Sequence, residues 1–422
     1  MSDAALERRA LLRDGDFRSY VTARFFSGIA AQMIVIAVGW QVYRMTGRLL
    51  DLGLIGLSQF LPFFAFALFA GHAADRFDRR VILCACAIVQ AVCALALGAV
   101  AIDRIASTGP IFAILALLGV ARAFQMPAAQ SFLPNLVPTE VLPAAVAIGS
   151  STSQVATIAG PSLGGAVYSL ADARLGATTG AAAVYVGAAA LLALAFGMLT
   201  RVRRRVAPQR RHAPAARDLL QGLRFVWRRK PVLGALSLDL FAVLFGGATA
   251  LLPAFTRDVL HAGPAQFGLL RTAPGLGAGL TALLLAFAPI RRRVGPTMFA
   301  GVAVFGVATV VFGLTHRFVI AMIALGILGA SDMISVFIRH VLVQLATPDE
   351  IRGRVSAVNS MFIGASNELG EFESGLTAAW LGLVPAIVAG GIATLVVGAL
   401  WGGWLFPALR RLRSFDEIRD WR

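Results

Sequence analysis

GHAADRFDRR, residues Gly71 to Arg80, lies between an apolar run from about Leu52 to Ala70 and another from Val81 to Val100. Five of its ten residues are charged. Runs of about 20 apolar residues cross a bilayer as helices, so the charged stretch between them reads as a tight turn at a membrane surface. Gly71 would let two backbones approach. Asp75 would accept from the exposed amides of a nearby helix start, and Arg76, Arg79 and Arg80 would anchor the turn on the positive-inside face.

Composition points the same way. The chain has 422 residues, 58% of them hydrophobic and 14% charged, with a mean hydropathy of +0.77. That excludes a soluble protein of this length. The net charge of +16 sits in short segments between apolar runs, a distribution that membrane topology explains better than nucleic-acid binding. Cys84, Cys86 and Cys93 share one apolar run and read as small hydrophobes rather than a disulfide or metal set. His212, His261, His316 and His340 fall at or near span ends or in loops without metal-ligand spacing. No metal or cofactor is expected, and no Walker-type glycine-lysine-serine segment supplies ATP chemistry. The N-terminal MSDAALERRALLRDGDF lacks the apolar core of a signal peptide, so a cytoplasmic N-terminus is expected.

Stretches of roughly 20 apolar residues predict twelve spans: 20–43, 51–72, 81–102, 110–129, 141–170, 175–200, 233–256, 264–288, 295–315, 317–345, 351–377 and 381–406. The expected organisation is a cytoplasmic N-terminus (1–19), a six-helix bundle (20–200), a basic central loop (201–232), a second six-helix bundle (233–406) and a cytoplasmic tail (407–422). The second part of the central loop has the pattern of an amphipathic helix lying on lipid. This topology puts 28 of the 38 basic residues inside, six outside and four within spans, an asymmetry that predicts both termini on the cytoplasmic side. Trp40, Tyr43, Trp401 and Trp404 read as interfacial belts, and Arg24, near the start of the first span, is expected to snorkel.

The second half repeats the first. An offset of 210 sets Gly119 on Gly329, Pro138 on Pro348, Glu140 on Glu350, Ser150 on Ser360, Gly160 on Gly370 and Gly165 on Gly375. A weaker echo at 215 sets Arg76 against Arg291. Few identities survive, but they fall at matching points of a span-loop-span unit, the pattern of duplicated transporter halves.

Three motifs carry a resemblance. The Gly71 to Arg80 stretch, with Asp75 and Arg76 followed by Arg79 and Arg80, resembles the loop between helices 2 and 3 of the major facilitator superfamily of secondary transporters. Leu118, Arg122 and Gln125 resemble its fourth-helix motif, with Met126 and Pro127 where the family has glycine. Gly160, Pro161, Gly164 and Gly165 are similar to the fifth-helix motif of its drug antiporters, with Ala156 in place of the leading glycine. The wording of the chain, including VGWQVYRMTG and TPDEIRGRVSAVNS, is similar to the bacterial branch that includes the enterobactin exporter. The resemblance implies an all-α membrane protein of two pseudo-symmetric six-helix bundles, a multi-pass protein of the bacterial inner membrane working by alternating access. It implies proton coupling at Arg122 and a switching role for the loop, with Asp75 docking near the start of the eleventh helix in one state.

Charges inside hydrocarbon mark the other candidates, since each costs several kcal/mol unless paired or facing a wet cavity. The repeat sets Asp332 on Arg122 and Glu371 on Pro161. In ASNELGEFESG, Glu368 and Glu371 lie roughly 60° apart on one helical face, with Glu373 well round the helix. Glu368, Glu371, Asp332 and Asp239 are candidates for proton coupling or for binding a cationic group. Alternatively these acids pair with Arg122, Arg271 or Arg339 as locks between the halves. Gln32, Gln125, Arg339 and Asn367 are expected to line the substrate cavity.

The expected function is proton-coupled efflux of an amphiphilic small molecule, a siderophore or a drug, by a monomer in the lipid bilayer with no nucleic-acid partner. An importer or lysolipid flippase of the same fold is the first alternative, and a non-transporting membrane sensor the second class. The spans hold no nucleophile-base pair, which argues against an enzyme.

Overall fold

The computed structural model describes residues 11 to 421 apart from 12, 104–106, 177, 204–215 and 349–350. Arg8, Arg9, His212, Glu350 and the side chains of Asp75 and Ser360 lie outside the described residues. Helices α1 (Gly15–Thr46), α2 (Leu49–Arg76), α3 (Arg79–Ile102), α4 (Gly109–Leu136), α5 (Leu142–Leu175) and α6 (Gly180–Arg201) form the first half. A short helix α7 (Ala216–Arg228) precedes α8 (Lys230–Phe245), α9 (Pro264–Phe287), α10 (Val294–Leu314), α11 (Phe318–Ala346), α12 (Arg352–Leu381) and α13 (Leu383–Leu400). The seventh crossing is broken: after α8 the chain continues through a 3-10 segment at Ala248–Leu251 and a π segment at Phe255–Val259.

Among the described residues, eleven helices are long and apolar enough to cross a membrane. The one predicted span outside these eleven, 351–377, is α12, a helix of 30 residues. Arg352, Arg354, Glu368, Glu371 and Glu373 lie along it, and these charges set it apart from the apolar eleven.

The charged stretch differs from its expected form. Helix α2 runs on through Gly71 to Arg76, so the turn shrinks to Phe77 and Asp78. Among the described residues, no atom beyond its own helix backbone lies within 4 Å of where a Cβ on Gly71 would stand, so no close backbone approach is seen there. Asp78 caps α3, its Oδ1 accepting from the Arg80 N–H at 2.9 Å. Arg80 donates from Nε to the Leu199 carbonyl at 3.0 Å and from its terminal nitrogen to Thr200, satisfying carbonyls at the end of α6. Arg76 is exposed, whereas Arg79 is buried, with Nε and Nη1 making no hydrogen bond among the described residues.

Two compact units result. One holds Met1–Thr46, Ser58–Ala213 and Gly263–Thr272; the other holds Gly47–Leu57, Pro214–Ala262 and Ala273–Arg422. Each unit thus includes the opening turns of a helix from the opposite half of the sequence, α9 in the first unit and α2 in the second. The first unit has Phe17, Tyr20, Leu83, Phe132 and Leu199 in its core, with the Tyr20 hydroxyl donating to the Ala129 carbonyl at 2.9 Å. Deeper between α1 and α6, the Tyr185 hydroxyl donates to Gln41 Oε1 at 2.7 Å. The second unit packs Leu236, Met298, Ile338, Val355 and Leu409. Trp40 and Tyr43 are buried rather than interfacial, Trp40 stacking on Phe267 at 5.9 Å. Trp404 is exposed as expected, while Trp401 turns its Nε1 to Ser237 at 2.9 Å.

The sequence repeat reappears as a repeat of close helix crossings. A Cβ on Gly119 would collide with the Gln59 carbonyl of α2, and one on Gly329 with the Pro274 carbonyl of α9. Gly160 meets Gln32 of α1, and Gly370 meets Val243 and Leu244 of α8. Gly165 lies against Gly268 within the first unit, and Gly375 against Gly53 within the second. The glycines of each pair stand 210 residues apart, and the residues they meet stand 211 to 215 apart, close to the two sequence offsets. Small residues at crossings are what let membrane helices pack closely.

Replacing Gly119 or Gly329 by leucine is expected to overpack these crossings and cost about 1–3 kcal/mol or more. Gly197→Ala, at a position with nothing within 4 Å, is expected to leave stability unchanged or raise it by up to about 1 kcal/mol. Thermal midpoints of the purified variants in detergent check both.

Candidate functional site

The second unit gathers charge inside its helices. Asp239 sits mid-way along α8, Arg339 towards the end of α11 and Asn359 in the first half of α12. An Arg339 terminal nitrogen lies 3.2 Å from Asp239 Oδ2, and the pair is almost fully buried, with side chains 2% and 6% exposed. The other terminal nitrogen of Arg339 donates to Asn359 Oδ1 at 2.9 Å. One guanidinium therefore ties three helices together, and its Nε makes no hydrogen bond among the described residues.

Asp332 lies seven residues before Arg339, two helical turns away on nearly the same face. It is only partly buried and feels the charges of both Asp239 and Arg339. Asp239, Asp332, Ser331 and Ser335 share a cavity walled by Ala242, Val243, Gly301, Val302 and Phe305. Its volume is about 10 Å³, close to the minimum for a single water. Among the described residues Ser335 Oγ is buried there without a hydrogen-bond partner, whereas Ser331 Oγ bonds back to Ile327 and Leu328 at 2.9 Å. Space of this size cannot hold an amphiphilic substrate.

The glutamates of α12 form no part of that cavity's wall. Glu371 is partly buried and packs on α2, its Oε2 2.8 Å from where a Cβ on Gly56 would stand. The Glu368 carbonyl lies near the same glycine. Glu373 accepts from the Thr377 hydroxyl at 2.8 Å, and Asn367 is exposed. The structure thus joins Asp239, Asp332 and Arg339 of the candidates and leaves Glu368 and Glu371 at a separate helix crossing. Arg339 is part of the ionic cluster rather than a cavity-lining residue.

In the first unit, Arg122 is exposed on α4 with its guanidinium 5.8 Å from the Phe63 ring of α2. Gln125, one turn on, accepts from Gln90 Nε2 of α3 at 3.0 Å. Gln32 is partly buried with its Cβ pressed on Gly160. Gly160, Pro161, Gly164 and Gly165 are all buried on α5, as a packing ridge requires. Arg24, exposed on α1, donates to the Ser153 hydroxyl at 3.2 Å. Sequence reading missed Asn359, Ser335 and Gln90; Ser335 and Gln90 are polar residues inside apolar helices, the signal that could have found them, whereas Asn359 sits on the charged α12.

Comparison with known proteins places this geometry. The family described as transmembrane secretion effector matches residues 8–418. An enterobactin exporter from Citrobacter koseri is 25% identical over 408 residues, covering 96% of this chain and 95% of the relative. One from Escherichia coli O81 is 25% identical over 405 residues, covering 95% and 93%. Among solved structures, a bacterial homologue of the human lysosomal transporter Spinster aligns with a TM-score of 0.74 at 17% identity, over 94% of this chain and 99% of that one. A D-xylose-proton symporter aligns at 0.71 and 13%, over 92% and 97%. These structures show the fold shared across the superfamily. The protein belongs to the transmembrane secretion effector family of the major facilitator superfamily and is a membrane transporter, not an enzyme.

Proposed function

We propose that this transporter exports an amphiphilic small molecule, of siderophore or drug type, from the cytoplasm across the bacterial inner membrane in exchange for protons. The observation that carries the proton part is the cluster of Asp239, Asp332 and Arg339 around a cavity the size of one water. Asp239 pairs with the guanidinium and Asp332 lines the same cavity, so the cluster is electrically neutral when one carboxyl holds a proton. Uncompensated charge in hydrocarbon costs several kcal/mol. Gain or loss of one proton would therefore change how strongly α8, α11 and α12 are drawn together, which is the kind of local change that can bias one packing of a bundle over another. Similarity to enterobactin exporters along nearly the whole chain supports the direction and the substrate class. Arg122, exposed on α4, and Glu368 and Glu371, at the α2 crossing, are the further coupling candidates. Gln32, Gln125 and Asn367 are proposed to contact substrate, and Gly71, Asp75, Arg76, Arg79 and Arg80 to act as the switch.

Proteoliposomes with an imposed pH gradient and a panel of siderophores and dyes test the proposal. An acidic lumen should drive accumulation by inverted molecules, and a protonophore should abolish it. Accumulation that ignores the gradient removes the proton coupling, and accumulation of lysolipids alone favours a flippase. Asp332→Asn is expected to lower gradient-driven transport at least about tenfold, the equivalent of 1.4 kcal/mol, while substrate exchange without a gradient persists. If Glu368→Gln and Glu371→Gln each leave gradient-driven transport unchanged, the coupling role belongs to the aspartates alone.

Arg339→Met strands Asp239 and is expected to destabilise the protein by about 3–5 kcal/mol. Adding Asp239→Leu should restore most of that loss. The two thermal midpoints decide whether the ion pair, rather than the arginine's bulk, holds the helices.

A further inference from the structure

Helix α7 carries three distinct stripes. Gly222 and Val226 are buried against α12: a Cβ on Gly222 would press on the Arg354 carbonyl at 2.8 Å, and Val226 joins Val355 and Val358 in the core. Beside this stripe, about 100° round the helix, Leu223 and Trp227 are 42% and 66% exposed. A further 100° round, Arg224 and Arg228 are exposed. Arg229 and Lys230 follow directly, and residues 221–230 contain no acid.

One residue, Arg229, separates α7 from α8, the first spanning helix of the second unit. A helix so joined is held at the bilayer surface, and its apolar stripe cannot lie far from lipid. Trp227 beside Leu223 is what an interfacial position favours, and arginines next to that stripe would stand at headgroup level. The contact with α12 is fixed on one side by Gly222 and extended by Arg354, whose guanidinium donates to Gln221 Oε1 at 2.6 Å. We infer that α7 is a binding surface for anionic phospholipid, with Leu223 and Trp227 inserted among the acyl chains and Arg224 and Arg228 holding the headgroup phosphates. Lipid bound there would brace the start of α12 through Gly222 and Gln221. The inference is independent of which substrate is carried and in which direction.

The test uses the full chain in phosphatidylcholine vesicles that contain an equal fraction of either brominated phosphatidylglycerol or brominated phosphatidylcholine. The Trp227 signal is the difference in fluorescence between the protein and its Trp227→Phe variant. That signal should be quenched more strongly by the anionic lipid. Arg224→Gln and Arg228→Gln should each lower the preference about fivefold, the worth of one basic residue near an anionic surface. Arg291→Gln, at an exposed position elsewhere, should leave it unchanged. Equal quenching by the two lipids, or an equal effect of Arg291→Gln, overturns the anionic site. Absence of quenching by either lipid means that water or another protein covers the stripe, and overturns it too.

Discussion

Helices in a bilayer gain almost nothing by hiding apolar side chains from solvent that is itself apolar, so they must find another reason to touch. In this protein the reason is close approach. Glycines at 119, 160 and 165 and their counterparts at 329, 370 and 375 put backbone against a neighbouring helix at points where even one methyl group would collide. The fold rests on these contacts, and their duplication makes the two halves alike despite little shared sequence.

Charge is the second constraint, and here the halves diverge. The first half keeps Arg122 exposed, while the equivalent position in the second half holds Asp332 beside the buried Asp239–Arg339 pair. A buried ion pair is weak evidence for stability, since desolvation offsets much of the attraction. Its stronger implication is specificity of packing: Arg339 bonds α8 and α12 at once, so those helices cannot shift without rearranging charge. A transporter that responds to protons needs such a dependence, and an apolar bundle would lack it.

Much of this was legible beforehand because hydrophobic length and arginine placement are nearly one-dimensional signals. The spans follow from hydrophobic length, the pairing of Gly119 with Gly329 from the repeat at an offset of 210, and the candidacy of Asp239 and Asp332 from acids inside apolar runs. Other features depend on the third dimension. Nothing in GHAADRFDRR distinguishes a helix that runs on to Arg76 from one that stops at Gly71, because alanine and arginine suit either. The separation of Glu371 from the aspartates was hidden for a similar reason. Helical spacing tells which residues share a face, but not which neighbour that face meets. Trp40 and Tyr43 were misplaced because aromatic residues near a span end serve equally well as belt or as core.

The interchange of helix starts between units carries a consequence for biosynthesis. Residues 263–272 complete the first unit by covering Gly165 of α5, yet their translation begins only 50 residues after that unit's preceding segment ends at Ala213. Until they emerge from the ribosome, a ridge of glycine backbone on α5 stays uncovered, and insertion of the second half must begin before the first can close.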